Sequence, residues 1–160
     1  MIRIATREDA PQVAVIYNYY VVNTIVTFEE EPVSDAEVAE RILLNQSHGV
    51  WLVSEKEGEI LGYSYAAPFA SRCAYRSTAE TTIYISQSHQ RQGHGIALYN
   101  SLLEHLRNST WHCAIGLITL PNEGSITLHE KLGFIKVGEL SEVGWKFGNW
   151  INVGYWQLIF

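Results

Sequence analysis

The hydrophobic and polar positions of the chain follow two different periods, which predicts both strands and helices. Short alternating or apolar runs bounded by turn residues are typical of strands, and apolar positions three or four residues apart are typical of helices. The 160-residue chain predicts the order strand, helix, helix, several strands, helix, strand, helix and two strands. This mixture indicates an α+β fold, and we expect one domain over residues 1–160 because no repeat or linker divides it.

Two helix starts are visible in the first half of the chain. Thr6 with Asp9, and Ser34 with Glu37, have the spacing of a capping box. The expected apolar positions of the two helices are Ala10, Val13, Tyr17 and Tyr20, and then Val38, Ile42 and Leu43. The segment VWLVSEKEGEILGYSYAAP predicts a hairpin that turns near Glu57 and Gly58.

The second half alternates strands and helices more regularly. STAETTIYIS predicts a strand, a helix follows Gly93, CAIGLITL predicts a buried strand, and NEGSITLHEKLG predicts a helix that stops at Gly133. Two last strands are expected around FIKVGEL and VGYWQLIF.

Charge and composition argue against several classes of function. Seventeen acidic residues against eleven basic ones give a net charge of −6, which repels a phosphate backbone, so no nucleic-acid partner is expected. No segment resembles a signal peptide or approaches the ~18 apolar residues that cross a bilayer, so no membrane partner is expected. Cys73 and Cys113 form no paired motif and the six histidines have no metal-ligand spacing. We therefore expect a cytoplasmic protein without a metal.

The stretch SHQRQGHGIALYNSLLEHL, residues 88–106, joins a predicted strand to an amphipathic helix. Gly93 and Gly95 would let a bulky anion approach the main chain, where the first N–H groups of the helix are free and the helix dipole is positive. The turn predicts a diphosphate site, with a glycine-containing turn without a ligand as the alternative.

Two familiar phosphate motifs do not fit this turn. A P-loop needs a lysine followed by Ser or Thr, and a dinucleotide fingerprint needs a third glycine where Leu98 stands. The turn does contain Q-x-x-G-x-G, formed by Gln90, Gly93 and Gly95 between a strand and a helix. With PNEGSITLHEKLGF after the next strand, this motif resembles the acetyl-CoA site of the GNAT N-acetyltransferases.

The resemblance extends over nearly the whole chain and narrows to one group. IYNYYVVNTIVTFEEEP, AYRSTAETTIYI, SITLHEKLGF and VGWKFGNW are similar, in the same order, to blocks of the phosphinothricin or methionine sulfoximine acetyltransferases. The fold it implies is a central mixed, mostly antiparallel twisted sheet flanked by helices. Ser77 departs from the group, which commonly has an aromatic residue after Ala-Tyr-Arg, and this difference bears on the shape of the pocket.

The resemblance also implies how the co-substrate acetyl-CoA is held. Its pantetheine arm would lie in a splay between the strand of Tyr84 and Ile85 and the strand of Leu117 and Ile118, in the place of a neighbouring strand. The implied cofactor-binding residues are Ile85, Gln90, Gln92, Gly93, His94, Gly95, Ile96, Asn122 and Ser125.

The reaction needs a base, because an amine attacks a thioester through a free lone pair and an α-amine of pKa ~8 is mostly protonated at pH 7. Glu80 is the only charged residue of the segment STAETTIY, and related enzymes place a glutamate here as the base, acting directly or through water. A glutamate on a solvated strand face is the structural alternative.

His129 lies seven residues after Asn122, where many GNAT enzymes have a tyrosine thought to protonate the CoA thiolate. An imidazole could donate that proton or assist Glu80 as a base, and a core histidine is the alternative. The backbone N–H of Ile85 is expected to stabilise the thioester oxygen. Cys113 lies in an apolar strand and is interpreted as a core residue rather than a nucleophile.

The amine substrate is expected to contact residues just before the Glu80 strand. Arg72 and Tyr75 could hold its carboxylate or phosphinate through a guanidinium fork and a hydroxyl, with Arg76 as a nearby competitor for that role. By resemblance, Phe28 and Thr82 complete the pocket wall. A core position for Phe28 and a surface ion pair for Arg72 are the alternatives.

The C-terminal segment VGWKFGNWINVGYWQLIF concentrates aromatic residues, namely Trp145, Phe147, Trp150, Tyr155, Trp156 and Phe160. This is more aromatic surface than one sheet face needs, and with the homodimers of related enzymes it predicts a homodimer.

The expected function is transfer of acetyl from acetyl-CoA to the α-amino group of a small amino acid such as L-phosphinothricin, L-methionine sulfoximine or methionine sulfone. The alternatives are a GNAT enzyme for another amine or a peptide N-terminus, and a non-catalytic CoA-binding sensor.

Overall fold

The computed structural model describes residues 1–160, which form a seven-stranded sheet covered by four α-helices. The strands are β1 (Ile2–Ile4), β2 (Val50–Lys56), β3 (Glu59–Pro68), β4 (Thr78–Ile85), β5 (Cys113–Leu120), β6 (Ile135–Lys146) and β7 (Asn149–Ile159). The helices are α1 (Ala10–Asn23), α2 (Asp35–Gln46), α3 (His94–Arg107) and α4 (Glu123–Lys131). None of them has the length and apolar character that crossing a bilayer requires.

The sheet is antiparallel except at one pair of strands. Its order is β1-β2-β3-β4-β5-β7-β6, and only β4 and β5 run parallel. A parallel pair needs a crossover connection, which α3 provides between these two strands. The expected α+β fold with a mixed, mostly antiparallel sheet is confirmed.

Two hydrophobic clusters cover the two faces of the sheet. On the face that we call the front, α1 and α2 pack on the sheet around Ile42, Trp51 and Tyr84. On the back, α3 packs on the sheet around Leu98 and Tyr99, with side chains of α4 against the same cluster. Burial of each large apolar side chain stabilises the folded state by roughly 1.5–3 kcal/mol. Each cluster therefore fixes its own helices on its own face of the sheet.

Side chains alternate between these faces along β4, as they do in any strand. Tyr84 belongs to the front cluster and Ala79 to the back cluster. Glu80 and Thr82 therefore project to the front, and Thr81 projects to the back. This assignment decides which site residues can meet.

The first two helices follow the sequence signals, with one difference at the start of α1 and one in the buried positions of α2. Thr6 and Asp9 form a capping box, but it opens a 3₁₀ turn over Arg7–Asp9, and α1 begins only at Ala10. The Ser34 hydroxyl accepts a hydrogen bond from the Glu37 N–H at 3.2 Å at the start of α2. The expected core position of Leu43 is wrong, because its side chain is 51% exposed beside the buried stripe of α2.

The C-terminal aromatic residues divide between core and surface. Trp156 is buried and Tyr155 is half-buried, so the aromatic surface is smaller than the sequence suggests. Trp145, Phe147 and Trp150 remain exposed, because they lie on the hairpin of β6 and β7, and β6 is the outermost strand of the sheet.

Candidate active site

The parallel strands β4 and β5 separate beyond the pair Glu80–Ile115 and leave a gap inside the sheet. From there β4 continues to Ile85 beside β3 only, and β5 continues to Leu120 beside β7 only. The sequence analysis expected a splay at this place. The gap has the shape that an extended ligand needs to lie between two strands.

The hydrogen-bond pattern decides which backbone groups face the gap. The Ser86 N–H donates to the Leu61 carbonyl at 2.8 Å, which with the strand register pairs the even-numbered residues of β4 with β3. Bonded and non-bonded pairs alternate in an antiparallel ladder, so Ile83 and Ile85 turn their N–H groups toward the gap. The Ile85 donor was expected, and the Ile83 donor was missed, although strand alternation could have found it.

Tyr20 of α1 contacts both the gap and the turn that follows β4. Its hydroxyl donates to the Ile85 carbonyl at 2.5 Å and accepts from Gln90 Nε2 at 2.8 Å. Tyr20 thus occupies the Ile85 carbonyl and not its N–H, which stays available to a ligand. The Gln90 side chain in turn holds the Tyr20 hydroxyl. The sequence analysis assigned Tyr20 only to a helix face, because nothing in the sequence distinguishes a tyrosine whose hydroxyl reaches a strand.

The turn before α3 has the geometry of an anion site. Gly93 is the N-cap residue with a φ of 86°, which disfavours other residues, and the space beside it is open. The first bond within α3 runs from the Ala97 N–H to the Gly93 carbonyl at 3.2 Å. The amides of His94, Gly95 and Ile96 therefore have no helical partner, and together with the helix dipole they favour a diphosphate.

The surroundings of two other residues of the turn were not predicted from the sequence. Gln92 is exposed, and its Nε2 donates to the Ser88 carbonyl at 3.0 Å, which holds the turn together. A Cβ atom at Gly95 would lie 3.6 Å from Cγ1 of Ile85 and 3.7 Å from Cδ2 of Leu128. These are ordinary contact distances, so the packing of α3 on β4 and α4 does not require glycine at position 95.

Glu80 lies on the front of the sheet at the closed end of the gap. Its side chain is half-buried and has no hydrogen-bond or ion-pair partner. Burial alone raises its pKa, which is the direction expected of a carboxyl group that serves as a base. Thr82, also half-buried, projects from the same face two residues further along β4.

His129 is buried on the back of the sheet in a network of polar side chains. Its Nδ1 lies 2.8 Å from the Ser125 carbonyl, and its Nε2 lies 3.0 Å from the Tyr99 hydroxyl. Tyr99 is in turn 2.7 Å from Oγ1 of Thr81 on β4. Because a carbonyl only accepts, Nδ1 carries the proton in the neutral ring and Nε2 accepts from Tyr99.

The surroundings of His129 favour its neutral form. Burial lowers its pKa, opposed in part by the hydrogen bond to Ser125. A Cβ atom at Gly116 would lie 2.5 Å from Nε2, so this glycine makes the room for the ring against β5. Neither the Tyr99 part of the network nor the role of Gly116 was found from the sequence.

Glu80 and His129 occupy opposite faces of the sheet and make no contact. Glu80 projects to the front, whereas His129 packs on the back against Tyr99 and Phe134. The idea that His129 directly assists Glu80 as a base has no support in these contacts. Thr81, next to Glu80 in β4, is the point where the network of His129 reaches the gap.

Asn122 and Ser125 form the N-terminal cap of α4. Oδ1 of Asn122 accepts from the Ser125 N–H at 3.1 Å, and both side chains are half-buried. The cap follows directly after β5, so it lies at the open end of the gap, where a long ligand would leave the sheet. This position is compatible with the expected contact to the CoA arm.

Arg72 and Tyr75 lie in the connection between β3 and β4, and both are exposed. The Arg72 side chain has no partner in the protein, whereas Arg76 donates to the Cys73 carbonyl at 3.2 Å. Tyr75 packs edge-on against Phe69 at 5.8 Å between ring centroids. Arg72 is therefore the free guanidinium of this connection, although the structure shows no contact between it and Glu80.

A cavity of about 360 Å³ opens on the front of the sheet between α1, α2, β2 and β3. Its wall includes the stacked rings of Trp51 and Tyr65, and it reaches Ala67, which pairs with Glu80 across the strands. The sequence analysis did not anticipate this cavity. The cavity has room for a small side chain and approaches Glu80 at Ala67.

The connection between α1 and α2 carries Phe28, which is 40% exposed. Its ring lies over Gly144 of β6, so Phe28 is a partly open wall rather than a core residue. The carbonyl next to it, that of Thr27, accepts a hydrogen bond from the buried Lys146 at 2.7 Å. Lys146 was missed, although a lysine between Trp145 and Phe147 in a strand is an unusual pattern.

Cys113 is buried, as expected for a core residue, and accepts a hydrogen bond from Gln157 at 3.2 Å. No group of three or more His, Cys, Asp or Glu side chains is arranged to hold a metal ion.

Comparison with protein families gives one match over most of the chain. The model described as an acetyltransferase (GNAT) domain matches residues 2–153. The match includes both strands that border the gap and the turn before α3.

Similar proteins have activities that agree with this match. The phosphinothricin N-acetyltransferase of Streptomyces viridochromogenes is 40% identical, with 98% of this chain and 85% of the relative covered. The L-methionine sulfoximine/L-methionine sulfone acetyltransferase of Pseudomonas paraeruginosa is 32% identical, with 98% and 92% covered. A crystal structure of a phosphinothricin acetyltransferase from Sinorhizobium meliloti with bound AcCoA has a TM-score of 0.96 at 32% identity, with 99% and 87% covered.

Proposed function

The chain belongs to the GNAT family of acetyltransferases and is an acetyl-CoA-dependent N-acetyltransferase, and we propose that its acceptor is the α-amino group of a small amino acid. L-Phosphinothricin, L-methionine sulfoximine and methionine sulfone, on which the relatives act by their names, are the proposed substrates. The observation that carries the proposal is the position of Glu80, unpaired and half-buried at the closed end of the gap. Residues 1–160 act as one catalytic domain in this proposal.

The gap and the turn before α3 fit acetyl-CoA. The diphosphate is held by the main-chain amides of Gln90, Gln92, Gly93, His94, Gly95 and Ile96. The side chains of the two glutamines hold the turn itself, through Tyr20 and the Ser88 carbonyl. The N–H groups that face the gap on β4 bind the extended arm, and Asn122 and Ser125 flank it where α4 begins. Acetyl-CoA supplies the thioester carbonyl that the amine attacks.

Glu80 acts as the base on the front of the sheet. Its raised pKa lets it accept a proton from the ammonium group, directly or through one water, and the free lone pair then attacks the thioester carbon. The Ile85 N–H donates to the oxygen as negative charge develops there. The C–S bond breaks as the tetrahedral intermediate collapses, so no covalent intermediate with the enzyme is needed.

The attacking nitrogen loses its second proton as the C–S bond breaks, and the leaving thiolate gains one, directly from that nitrogen or through one water. We assign His129 to the thiolate side as a positioning residue rather than as the proton donor, because its Nε2 carries no proton. Its neutral ring accepts from Tyr99, so it holds the Tyr99 hydroxyl next to Thr81 at the gap. In this assignment His129 acts through Tyr99 and is separate from Glu80, on the other face of the sheet.

Recognition of the acceptor uses the connections on the front of the sheet. Arg72 and Tyr75 hold the carboxylate or phosphinate of the amino acid. Phe28 and Thr82 form the wall beside the amine. The cavity along Tyr65 and Ala67 has room for a small side chain.

The hairpin of β6 and β7 is the proposed surface for a second copy of the chain. Its exposed apolar side chains are Ile135, Val137, Leu140, Val143, Trp145, Phe147 and Trp150. A self-complementary surface of this kind suits an isologous homodimer. Light scattering should give twice the 18.1 kDa chain mass, and Trp150→Asp should give the monomer while Leu44→Asp, at an exposed site on α2, should not.

A cytoplasmic location belongs to the same proposal. The enzyme uses acetyl-CoA, and its two cysteines, one exposed and one buried, are both free.

A competition assay tests the acceptor. Purified protein, acetyl-CoA and an equimolar mixture of the three amino acids, a polyamine and a peptide with a free N-terminus are incubated and analysed by mass spectrometry. We expect α-N-acetylated amino acids as the main products. Acetylation of only the peptide or polyamine would assign another acceptor, and CoA binding without any product would assign a sensor.

A further inference from the structure

Lys146 is a buried cation in a strand whose other side chains are exposed. Residues 135–143 of β6 are all exposed, whereas Lys146 retains only 1% of its surface. Burial of an ammonium group is costly unless partners compensate, and here burial lowers its pKa, opposed in part by Glu30 and Glu29. A position that keeps such a group needs an explanation in the contacts it makes.

The contacts of Lys146 are few and directed at one segment. Its Nζ donates to the Thr27 carbonyl at 2.7 Å and lies 5.1 Å from the ring centroid of Phe147. No carboxylate lies within ion-pair distance of it, although Lys136 on the same strand pairs with Glu139. The only hydrogen bond of the buried ammonium group is therefore to one backbone carbonyl in the connection between α1 and α2.

A second contact between the same two segments lies beside the first. The inward-facing residue two positions before Lys146 is Gly144, and any Cβ atom there would overlap the ring of Phe28. Residues 27 and 28 are therefore held against residues 146 and 144 of β6, by a hydrogen bond and by a close ring contact. This arrangement fixes where Phe28 stands.

The other side of the same segment is held by α1. Oγ1 of Thr27 lies 2.8 Å from the Tyr17 hydroxyl, and Tyr17 packs edge-on against Tyr84 of β4 at 5.3 Å. Because β5 and β7 separate β4 from β6 in the sheet, the segment bridges from the β4 side to the β6 side. It crosses the front of the gap, on the face to which Glu80 projects.

We propose that Lys146 is a positioning residue for the amino-acid acceptor, and this inference rests on the proposed function. By holding the Thr27 carbonyl, it places Phe28 as a wall of the acceptor site across the gap from Tyr84. Its contribution is specific to the acceptor, because the turn and the amides that hold CoA lie on other elements. The substitution Lys146→Met keeps the length of the side chain and removes the donor.

Steady-state kinetics and hydrogen exchange test this role together. For Lys146→Met we expect the KM of the amino acid to rise about tenfold, as for loss of one charge-assisted hydrogen bond, with the KM of acetyl-CoA within twofold of the wild type. Amide exchange over residues 24–33 should become faster, with no change in α3. Gly144→Ala, which displaces Phe28 without touching the lysine, should give the same pattern.

Two further variants serve as controls. Lys136→Met removes an exposed lysine from the same strand and should change neither KM nor exchange. Lys146→Arg retains a donor and should recover part of the exchange protection that the methionine variant loses.

Unchanged exchange over residues 24–33 in both Lys146→Met and Gly144→Ala would overturn the proposal, and so would faster exchange with an unchanged KM of the acceptor. If the wild-type protein acetylates no amino acid, the proposed substrate class is refuted. The role of Lys146 as a positioning residue is then decided by amide exchange over residues 24–33 and by the KM of whichever amine the enzyme accepts.

Discussion

The cofactor side and the acceptor side of the site are built in different ways. The groups assigned to acetyl-CoA come from β4, from the turn before α3 and from the cap of α4, and most of them are backbone amides. The groups assigned to the amino acid are side chains from the α1–α2 connection, the β3–β4 connection and β4, and Lys146 of β6 positions the first of these. A local backbone motif can be recognised in a sequence, whereas a set of side chains from three segments depends on the whole fold.

This difference also separates the two sides energetically. Every residue except proline keeps its backbone N–H, so the cofactor side should respond mainly to changes of backbone conformation. The acceptor side should respond to changes of single side chains. The following substitutions test that separation, in order of decreasing effect.

The largest effect is expected for Glu80→Gln, which keeps the shape of the side chain and removes its basicity. General-base catalysis is worth roughly 10²- to 10⁴-fold, so kcat should fall by that order while CoA affinity stays unchanged in calorimetry. Because the deprotonated carboxylate is the active form and burial raises its pKa, the rate of the wild type should rise with pH above the usual carboxyl range. The variant should lose that rise and regain part of its rate at alkaline pH, where free amine is available.

Glu104→Gln, an exposed change on α3, is the matched control and should leave kcat unchanged. A near-normal kcat for Glu80→Gln at neutral pH, with chemistry shown to limit turnover, would contradict the role of Glu80.

The second effect is on the cofactor side. Gly93→Val places a β-branched residue at a φ of 86° and puts side-chain carbons where the diphosphate approaches, at a conformational cost of about 1–3 kcal/mol. We expect the Kd for CoA to rise about 10- to 100-fold in calorimetry, with an unchanged KM for the amino acid. Gly58→Val provides the control. Gly58 also has a positive φ, of 84°, with open space beside it, but it lies in the turn between β2 and β3 and not in the turn before α3. Equal CoA affinity in the two variants would separate the turn from CoA binding.

The third effect is on the acceptor side. Arg72→Lys retains the charge and loses the guanidinium fork, so the KM of the amino acid should rise about tenfold, the equivalent of one strong hydrogen bond. The KM of acetyl-CoA should not change, and neither constant should change in Arg76→Lys, whose arginine is already bonded to a backbone carbonyl. If both constants rise together for Arg72→Lys, the two sides are not separable at this residue.

The smallest effect is expected where the two sides meet, at the network below the gap. Tyr99→Phe leaves Nε2 of His129 without its donor and removes one of the two hydrogen bonds of the Thr81 hydroxyl, which still reaches the Ile115 carbonyl. This should lower the free energy of unfolding by about 1–2 kcal/mol. Urea denaturation measures this loss, and Tyr155→Phe, which has no hydrogen bond to lose, should be neutral. A similar stability of both variants would mean that the network contributes little.

The sequence predicted the elements and the glycine turn between β4 and α3 well because their signals are local, and the binding of a diphosphate at that turn stays a prediction. Capping boxes, the glycine turn and strand alternation depend on residues a few positions apart, and the expected splay between β4 and β5 followed from the resemblance. The expected core position of Leu43 was wrong, because an apolar residue next to the buried face of a helix fits the same sequence pattern as the buried residues.

The roles of Tyr20, Tyr99 and Lys146 could not be predicted, because each depends on a polar contact between residues far apart in the chain. Tyr20 reaches Ile85 across 65 positions, and Lys146 reaches Thr27 across 119. The same reason explains why the sequence left open whether His129 assists Glu80 or protonates the thiolate. Nothing in their spacing says that Glu80 projects to the front of the sheet while His129, on α4, packs on its back.

The gap between β4 and β5 gives the sheet an edge in its interior. Exposed strand edges invite pairing with other chains, and here the facing N–H groups of Ile83 and Ile85 lie between two strands that are joined at one end. Only a slender molecule can enter such a slot, which excludes a folded partner. Binding there completes the hydrogen bonding of the native state alone, so the protein should gain about 2.7 kcal/mol of stability at a hundredfold excess of CoA over its Kd. The resistance of this enzyme to heat and proteases would then follow the supply of its own co-substrate.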